Sequence, residues 1–217
     1  RRTVEDMTAD FQLSLLDDPS GGAPTVGSLS AKLRRNELSD GAWVDVLPGW
    51  LTGSDPLFVT LTETVPWHEE RRQMYDRVVD VPRLLSWYGE ADPLPHPALD
   101  EARDALSDHY RGELGEPFRT AGLCYYRDGD DSVAWHGDTI GRSKTEDTMV
   151  AIVSVGAARR LLLRPRTGGD TLEFALGHGD LIVMGGSCQR TWEHAIPKTS
   201  RPVGPRVSIQ FRPRGVR

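Results

Sequence analysis

Apolar residues recur at one period in the first half of the chain and at another in the second. From Pro97 to about Glu113, Leu99, Ala102, Leu106 and Tyr110 form one stripe of a helix, and Gly112 and Gly115 suit its end. Pro66 suits the first position of another helix over Trp67–Val79, where Trp67, Met74 and Val78 recur at roughly helical spacing. Ala42–Leu51 reads as strand followed by turn. Residues 1–40 read as a loosely packed arm, broken by Gly, Pro and Ser at Pro19–Pro24 and closing in a short basic helix near Leu29–Arg35. After Ala121 short β-rich runs alternate with Gly/Asp turns: Gly122–Arg127, Thr148–Val155, Arg160–Arg164, Thr171–Ala175, Asp180–Met184, Thr191–Ala195 and Arg206–Arg212. Strands at this spacing predict a sandwich or small barrel. The expected class is α+β, mainly β, with helices at 41–120 and the β core at 121–217 forming one domain.

Length supports that reading, because 217 residues suffice for one sizeable core and not comfortably for two. No apolar run approaches the roughly 20 residues of a membrane helix, and Arg1–Asp6 lacks a signal-peptide pattern. Two cysteines, Cys124 and Cys188, allow one disulfide, yet such sparse usage suggests a reducing, cytoplasmic setting. The net charge of −6 argues mildly against a nucleic-acid partner. It is unevenly spread, however. Residues 1–140 hold 13 Lys and Arg against 26 Asp and Glu, while residues 141–217 hold 13 against 6. Screening confines each field to about 10 Å, so the basic half either binds phosphates or is simply a solvated face.

Two His-X-Asp tripeptides stand out: His136-Gly137-Asp138 and His178-Gly179-Asp180. On a strand such a pair projects from one face. Two histidines and one carboxylate suit iron(II) and leave positions open for substrate and oxygen. A third ligand must come from a distant strand, and His194 is the candidate. The 56 residues from Asp138 to His194 leave room for about four strands, whereas the 14 from Asp180 leave room for one hairpin. The predicted metal and catalytic set is therefore His136, Asp138 and His194, with His178 a turn residue. Downstream, Arg206-Val207-Ser208-Ile209-Gln210-Phe211-Arg212 alternates polar and apolar, so Arg206, Ser208, Gln210 and Arg212 share a face. Arginines facing inward require an anion, and a dicarboxylate co-substrate would supply one.

With these residues in view, the chain resembles the AlkB branch of the iron(II)/2-oxoglutarate oxygenases. The resemblance runs from Val81-Pro82-Arg83-Leu84-Leu85-Ser86-Trp87-Tyr88-Gly89-Glu90 through Tyr126-Arg127-Asp128-Gly129 and Trp135-His136-Gly137-Asp138 to His194 and Arg206–Arg212. It covers roughly residues 65–215. It implies a double-stranded β-helix, or jelly roll, with an N-terminal nucleotide-recognition lid. It also implies Fe(II), 2-oxoglutarate and molecular oxygen as cofactors, and oxidative dealkylation of bases in alkylated DNA or RNA. By resemblance Arg206, with Tyr126, grips one carboxylate of 2-oxoglutarate and Arg212 lies near the iron. Cys124 and Ser208 stand where the family often has Asn in contact with the co-substrate. Ile140 stands where it often has an acid that reads the base. The aromatic-rich turn after Tyr88-Gly89 is replaced by Asp92-Pro93-Leu94-Pro95-His96-Pro97.

The expected substrate contacts are Tyr88, Trp87, Arg83 and Ile140, with Tyr88 favoured for the pocket and Trp87 for the core. Trp135 and Trp192, which flank metal ligands, should point away from the iron into the core. Arg71-Arg72, Arg159, Arg160, Arg164 and Arg166 are candidates for phosphate contacts. The expected protein is a monomeric, non-membrane enzyme that repairs alkylated bases. Ile140 and the proline-rich turn also fit an oxygenase of the same chemistry acting on a small molecule or protein side chain.

Overall fold

The computed structural model describes residues 22–30, 32–74 and 77–216, with the backbone alone for the described residues between 71 and 80. Two antiparallel sheets dominate. The larger has eight strands in the order Arg34–Glu37, Ala42–Leu47, Asp180–Gly186, Val150–Gly156, Arg206–Arg212, Thr120–Tyr126, Arg77–Tyr88 and His68–Met74. The smaller has four, in the order Leu172–Leu176, Arg159–Pro165, Trp192–Ile196 and Val133–His136. Val44, Val150, Ile152, Ile182 and Met184 of the larger sheet meet Leu161, Leu163, Leu176 and Ile196 of the smaller in one buried cluster. This is the sandwich that the alternating half of the sequence predicts, and the jelly roll that the resemblance implies. All seven predicted strands after Ala121 are present, and Val133–His136 adds an eighth.

The other face of the larger sheet is covered by helices. Pro97–His109 lays Leu99, Ala102 and Leu106 into the core with Tyr110 at its end, all at 0% exposure, so the predicted stripe is correct. His96 caps the start by accepting from the Ala98 amide, and a four-residue turn closes on Gly115 in the left-handed region at φ 73°. Each such leucine contributes about 1.5–3 kcal/mol by burial. A second helix, Ser54–Thr64, has no counterpart in the sequence reading. It buries Leu57, Phe58 and Leu61, an i, i+1, i+4 pattern diluted by its threonines.

Two helix expectations are corrected. The helix expected over Trp67–Val79 is a hairpin, in which His68–Met74 pairs with Arg77–Tyr88 and the latter with Thr120–Tyr126. Three apolar positions fitted a helical period, but Val78, Val79 and Val81 are β-branched and a free sheet edge was available to them. The helix expected at Leu29–Arg35 is instead the edge strand Arg34–Glu37, paired with Ala42–Leu47. There Arg35 forms a bidentate pair with Asp45 at 2.8 and 2.9 Å. Thr25–Val26 pairs with Leu51–Thr52, so this part of the expected arm is bonded to the domain; residues 1–21 lie outside the described residues.

Candidate active site

The three predicted ligands converge. His136 ends its strand and is the register partner of His194 on the neighbouring strand. Their ring centroids lie 4.2 Å apart. Asp138 follows two residues on, with Oδ1 3.6 Å from His136 Nε2. One ligand atom from each of the three lies within 4.8 Å of the others, a spacing that a single ion could bridge. His136 Nδ1 is 2.8 Å from the Ala134 carbonyl and donates to it, which leaves the Nε2 lone pair for a metal. Asp138 Oδ2 accepts from Arg212 Nε at 2.8 Å and Nη2 at 2.7 Å, so Oδ1 is the oxygen left for the ion.

The electrostatics favour ligation. Burial opposes the charge on Asp138, but Arg212, then His194 and His136, outweigh it and hold the carboxyl down at about 2. Burial, with His136 second, pushes His194 down to about 3, so its imidazole is neutral over the physiological range.

Two residues that the sequence reading missed build the cradle. The Gln189 side-chain oxygen accepts from the Asp138 amide at 2.9 Å. The Gln189 carbonyl would lie 2.3 Å from a Cβ at position 137, and Arg166 Nη2 2.7 Å from it, so glycine is required between the ligands. Ser143 Oγ also donates to the Asp138 carbonyl. A glycine inside a metal-ligand pair was the only signal of this crowding that the sequence carried.

The terminal strand, Arg206–Arg212, has the predicted two faces. Val207, Ile209 and Phe211 are fully buried toward the helices, while Arg206, Ser208, Gln210 and Arg212 face the space between the sheets. Arg206 is 1% exposed. Its Nε donates to Ser154 Oγ at 2.8 Å, and its guanidinium lies 5.1 Å from the Tyr126 ring centroid. Its Nη1 is buried with no hydrogen-bond partner. An unanswered buried donor on the wall that faces the His136–Asp138–His194 group fits the carboxylate of a dicarboxylate co-substrate. Cys124 and Ser208 line the same face, both within 3.4 Å of Gln210 Nε2. Cys124 and Cys188 are free thiols, and burial pushes Cys188 up to about 12.

The expected substrate contacts sort differently. Trp87 and Tyr88 are strand neighbours and face opposite ways. Tyr88, expected in the pocket, packs against the helix-side core. Trp87, expected in the core, is 41% exposed. Its ring lies 5.8 Å from the guanidinium of Arg212, which holds Asp138. Ile140 is 65% exposed on the loop after Asp138. Arg83 turns inward, and its Nη1 donates to the Ser132 carbonyl at 3.0 Å. Trp135 points away from the ligands but lies under Arg164 at 4.1 Å, whereas Trp192 is buried in the core as expected, though two residues before His194 it shares that side chain's face rather than pointing away.

The arginines proposed for phosphate already have partners. Arg159 is buried and donates to the carbonyls of Asp128, Asp131 and Pro197. Arg160 pairs with Glu173, and Arg164 and Arg166 both pair with Glu193. The side chains of Arg71 and Arg72 lie outside the described residues. No helix among the described residues is long and apolar enough to cross a membrane.

Comparison with known proteins agrees with this geometry. The pattern of the 2OG-Fe(II) oxygenase superfamily matches residues 44–212, which include every residue of the triad and the terminal strand. The chain belongs to this superfamily. Within it the AlkB resemblance holds. The bovine alpha-ketoglutarate-dependent dioxygenase alkB homolog 3 is 31% identical over 194 residues, covering 78% of this chain and 65% of that protein. The human alkB homolog 3 is 30% identical, covering 73% and 61%. The chain thus spans a little under two thirds of the length of these relatives. The mouse DNA oxidative demethylase ALKBH2 is 28% identical over 219 residues, covering 89% and 88%. The same fold occurs in OsALKBH1, at a TM-score of 0.56 and 15% identity over 83% of this chain and 100% of that one. It also occurs in a 2OG-Fe(II) oxygenase family protein from Burkholderia pseudomallei, at 0.51 and 14% over 74% and 79%.

Proposed function

We propose that this chain is an Fe(II)- and 2-oxoglutarate-dependent dioxygenase that oxidatively dealkylates N-alkylated bases in DNA or RNA. The observation that carries the chemistry is the space between the two sheets, with the His136–Asp138–His194 cluster on the wall of the smaller sheet and the unpaired Arg206 Nη1 on the larger. The substrate class is supported by the names of the relatives, alkB homolog 3 and DNA oxidative demethylase ALKBH2. Bound there with molecular oxygen, iron(II) and 2-oxoglutarate supply oxidation of the N-alkyl carbon, which then leaves as an aldehyde to restore the base.

The chain's own groups position that chemistry. His136, Asp138 and His194 hold the metal, with the His136 tautomer fixed by Ala134. Arg212 and Gln189 orient Asp138, so its free oxygen keeps one direction. Arg206 takes a co-substrate carboxylate, itself held by Ser154 and flanked by Tyr126. Trp87 offers an exposed aromatic face near the metal ligands, suited to stacking on a flat ring. Ile140 stands at the rim.

Succinate release under iron(II) and oxygen tests this, with and without an oligonucleotide carrying 1-methyladenine or 3-methylcytosine. Stimulation by the alkylated strand, abolished in Asp138→Ala, is expected. Basal turnover without stimulation would overturn the nucleic-acid substrate and keep the oxygenase. One observation favours a second reading, in which the substrate is a small molecule or protein side chain: Arg159, Arg160, Arg164 and Arg166 are all engaged internally, so they make no obvious phosphate track.

A further inference from the structure

Arg83 lies on the strand Arg77–Tyr88, two residues before Leu85 and four before Trp87, so the three share one face. Leu85 pairs with Cys124 and packs into the core between the sheets, and Trp87 lies against Arg212. That places Arg83 at the level of Tyr126, on the inner wall. Its Nη1 donates to the Ser132 carbonyl, while its Nε is buried with no hydrogen-bond partner. The Cys124 thiol and the Tyr126 phenol are its immediate neighbours, and the same two groups neighbour Arg206.

The buried guanidinium of Arg206 and the half-buried one of Arg83 therefore converge on one thiol and one phenol, and each keeps an unanswered N–H. Compensating acid is scarce. Among the described residues Glu70 is the carboxylate that acts on Arg83, more weakly than Cys124 and Tyr126. Among the described residues, burial, Tyr126, Cys124 and Arg159 act most strongly on Arg206, and none of the three side chains is a carboxylate. Neighbouring amides do not fill the gap, because the Gln210 side chain is engaged with Cys124, Ser208 and Arg212. A buried cation without a counter-ion costs several kcal/mol, on the order of buried-ion penalties, and Arg206 is in that position. A carboxylate, with two oxygens and about four lone-pair sites, answers both orphaned donors at once.

We propose that Arg83 is a third arginine of the co-substrate site, donating with Arg206 to the carboxylate of 2-oxoglutarate farther from the metal. The inference rests on the co-substrate reading of the inner face. It reassigns Arg83 from the substrate to the co-substrate. Arg83 stands in for the donors lost where Cys124 and Ser208 replace side-chain amides.

The test is binding without turnover. Protein loaded with Mn(II) and kept free of oxygen is titrated calorimetrically with N-oxalylglycine, which carries the distal carboxylate, and with oxalate, which does not. Arg83→Gln should weaken N-oxalylglycine about ten- to a hundredfold, the usual range for losing a hydrogen bond to a charged group, and leave oxalate within about twofold. Arg83→Lys should recover part of the loss. N-oxalylglycine binding within twofold of wild type in Arg83→Gln would overturn the proposal. So would equal weakening of both ligands in both variants, which would mark Arg83 as structural through Ser132. Failure of the unaltered protein to bind N-oxalylglycine would instead defeat the co-substrate reading itself.

Discussion

His136-Gly137-Asp138 and His178-Gly179-Asp180 have the same first, second and third residues, and their surroundings use them in opposite ways. In the first, the side chains face each other across 3.6 Å and His194 from the next strand closes the group. Backbone donors are kept off the metal-facing oxygen: Arg212 holds Oδ2 and Gln189 takes the amide. In the second, the glycine turns into the left-handed region at φ 80°. His178 Nδ1 accepts from the Gly156 amide at 2.7 Å, and its Nε2 lies 3.2 Å from Asp55. The Asp180 oxygens accept from the amides of Gly177 and Gly49 at 2.7 and 2.8 Å. Both side chains are consumed in closing a turn. A tripeptide offers ligands; whether they stay available depends on which donors the fold brings to them.

The comparison is broken most severely by exchanging the roles of the two aspartates. Asp138→Ala should remove succinate formation to background and Mn(II) binding with it. Asp180→Ala should leave both within about threefold and instead lower stability by about 1–2 kcal/mol, since two half-buried amides lose their acceptor. A urea midpoint beside a metal titration separates the two outcomes. Loss of metal binding in Asp180→Ala would undo the contrast.

Next in size, Arg206→Met removes the partner of the co-substrate carboxylate. The apparent affinity for 2-oxoglutarate should fall by a hundredfold or more while Mn(II) binding persists, as read by calorimetry on the metal-loaded protein. Arg212→Gln tests the group that orients Asp138. Outer partners of metal ligands are typically worth 10–100-fold in affinity or activity, so Mn(II) should bind about tenfold or more weakly. An unchanged metal affinity would mean that Asp138 is held adequately by Gln189 and Ser143 alone. The smallest effect is expected at the second histidine. His178→Ala should cost about 1–2 kcal/mol through the orphaned Gly156 amide and leave succinate formation intact, as thermal unfolding and turnover would show.

The β half of the molecule was legible because alternation with turn residues is a local signal. All seven strands predicted after Ala121 are present, and the two-faced terminal strand is placed as expected. The helix Pro97–His109 was legible for the same reason, with a stripe, a cap and a terminal glycine. The hairpin at 68–88 was not. Its residues carry a weak helical period, and their strand state depends on pairing with Thr120–Tyr126, some forty residues away. For Trp87 and Tyr88 alternation fixes only that they face opposite ways; which of them packs on the helix side is set by the register against Gly122 and Ala121. Gln189 and Ser154 gave no signal, since each acts only by being brought beside Asp138 or Arg206.

By itself, then, the sequence determined the alternation that builds two stacked sheets, which three side chains form the candidate metal group, through their spacing, and the placing of Arg206 and Arg212 on one face of one strand. These follow from period and chain length, which are properties of neighbours along the backbone. The tertiary structure decided which carboxylate oxygen is free, which arginines are already paired, which aromatic reaches the rim, and that Arg83 turns inward beside Arg206. Those outcomes depend on burial and on donors contributed from distant strands, and the desolvation of a charge has no value until the fold has chosen what surrounds it.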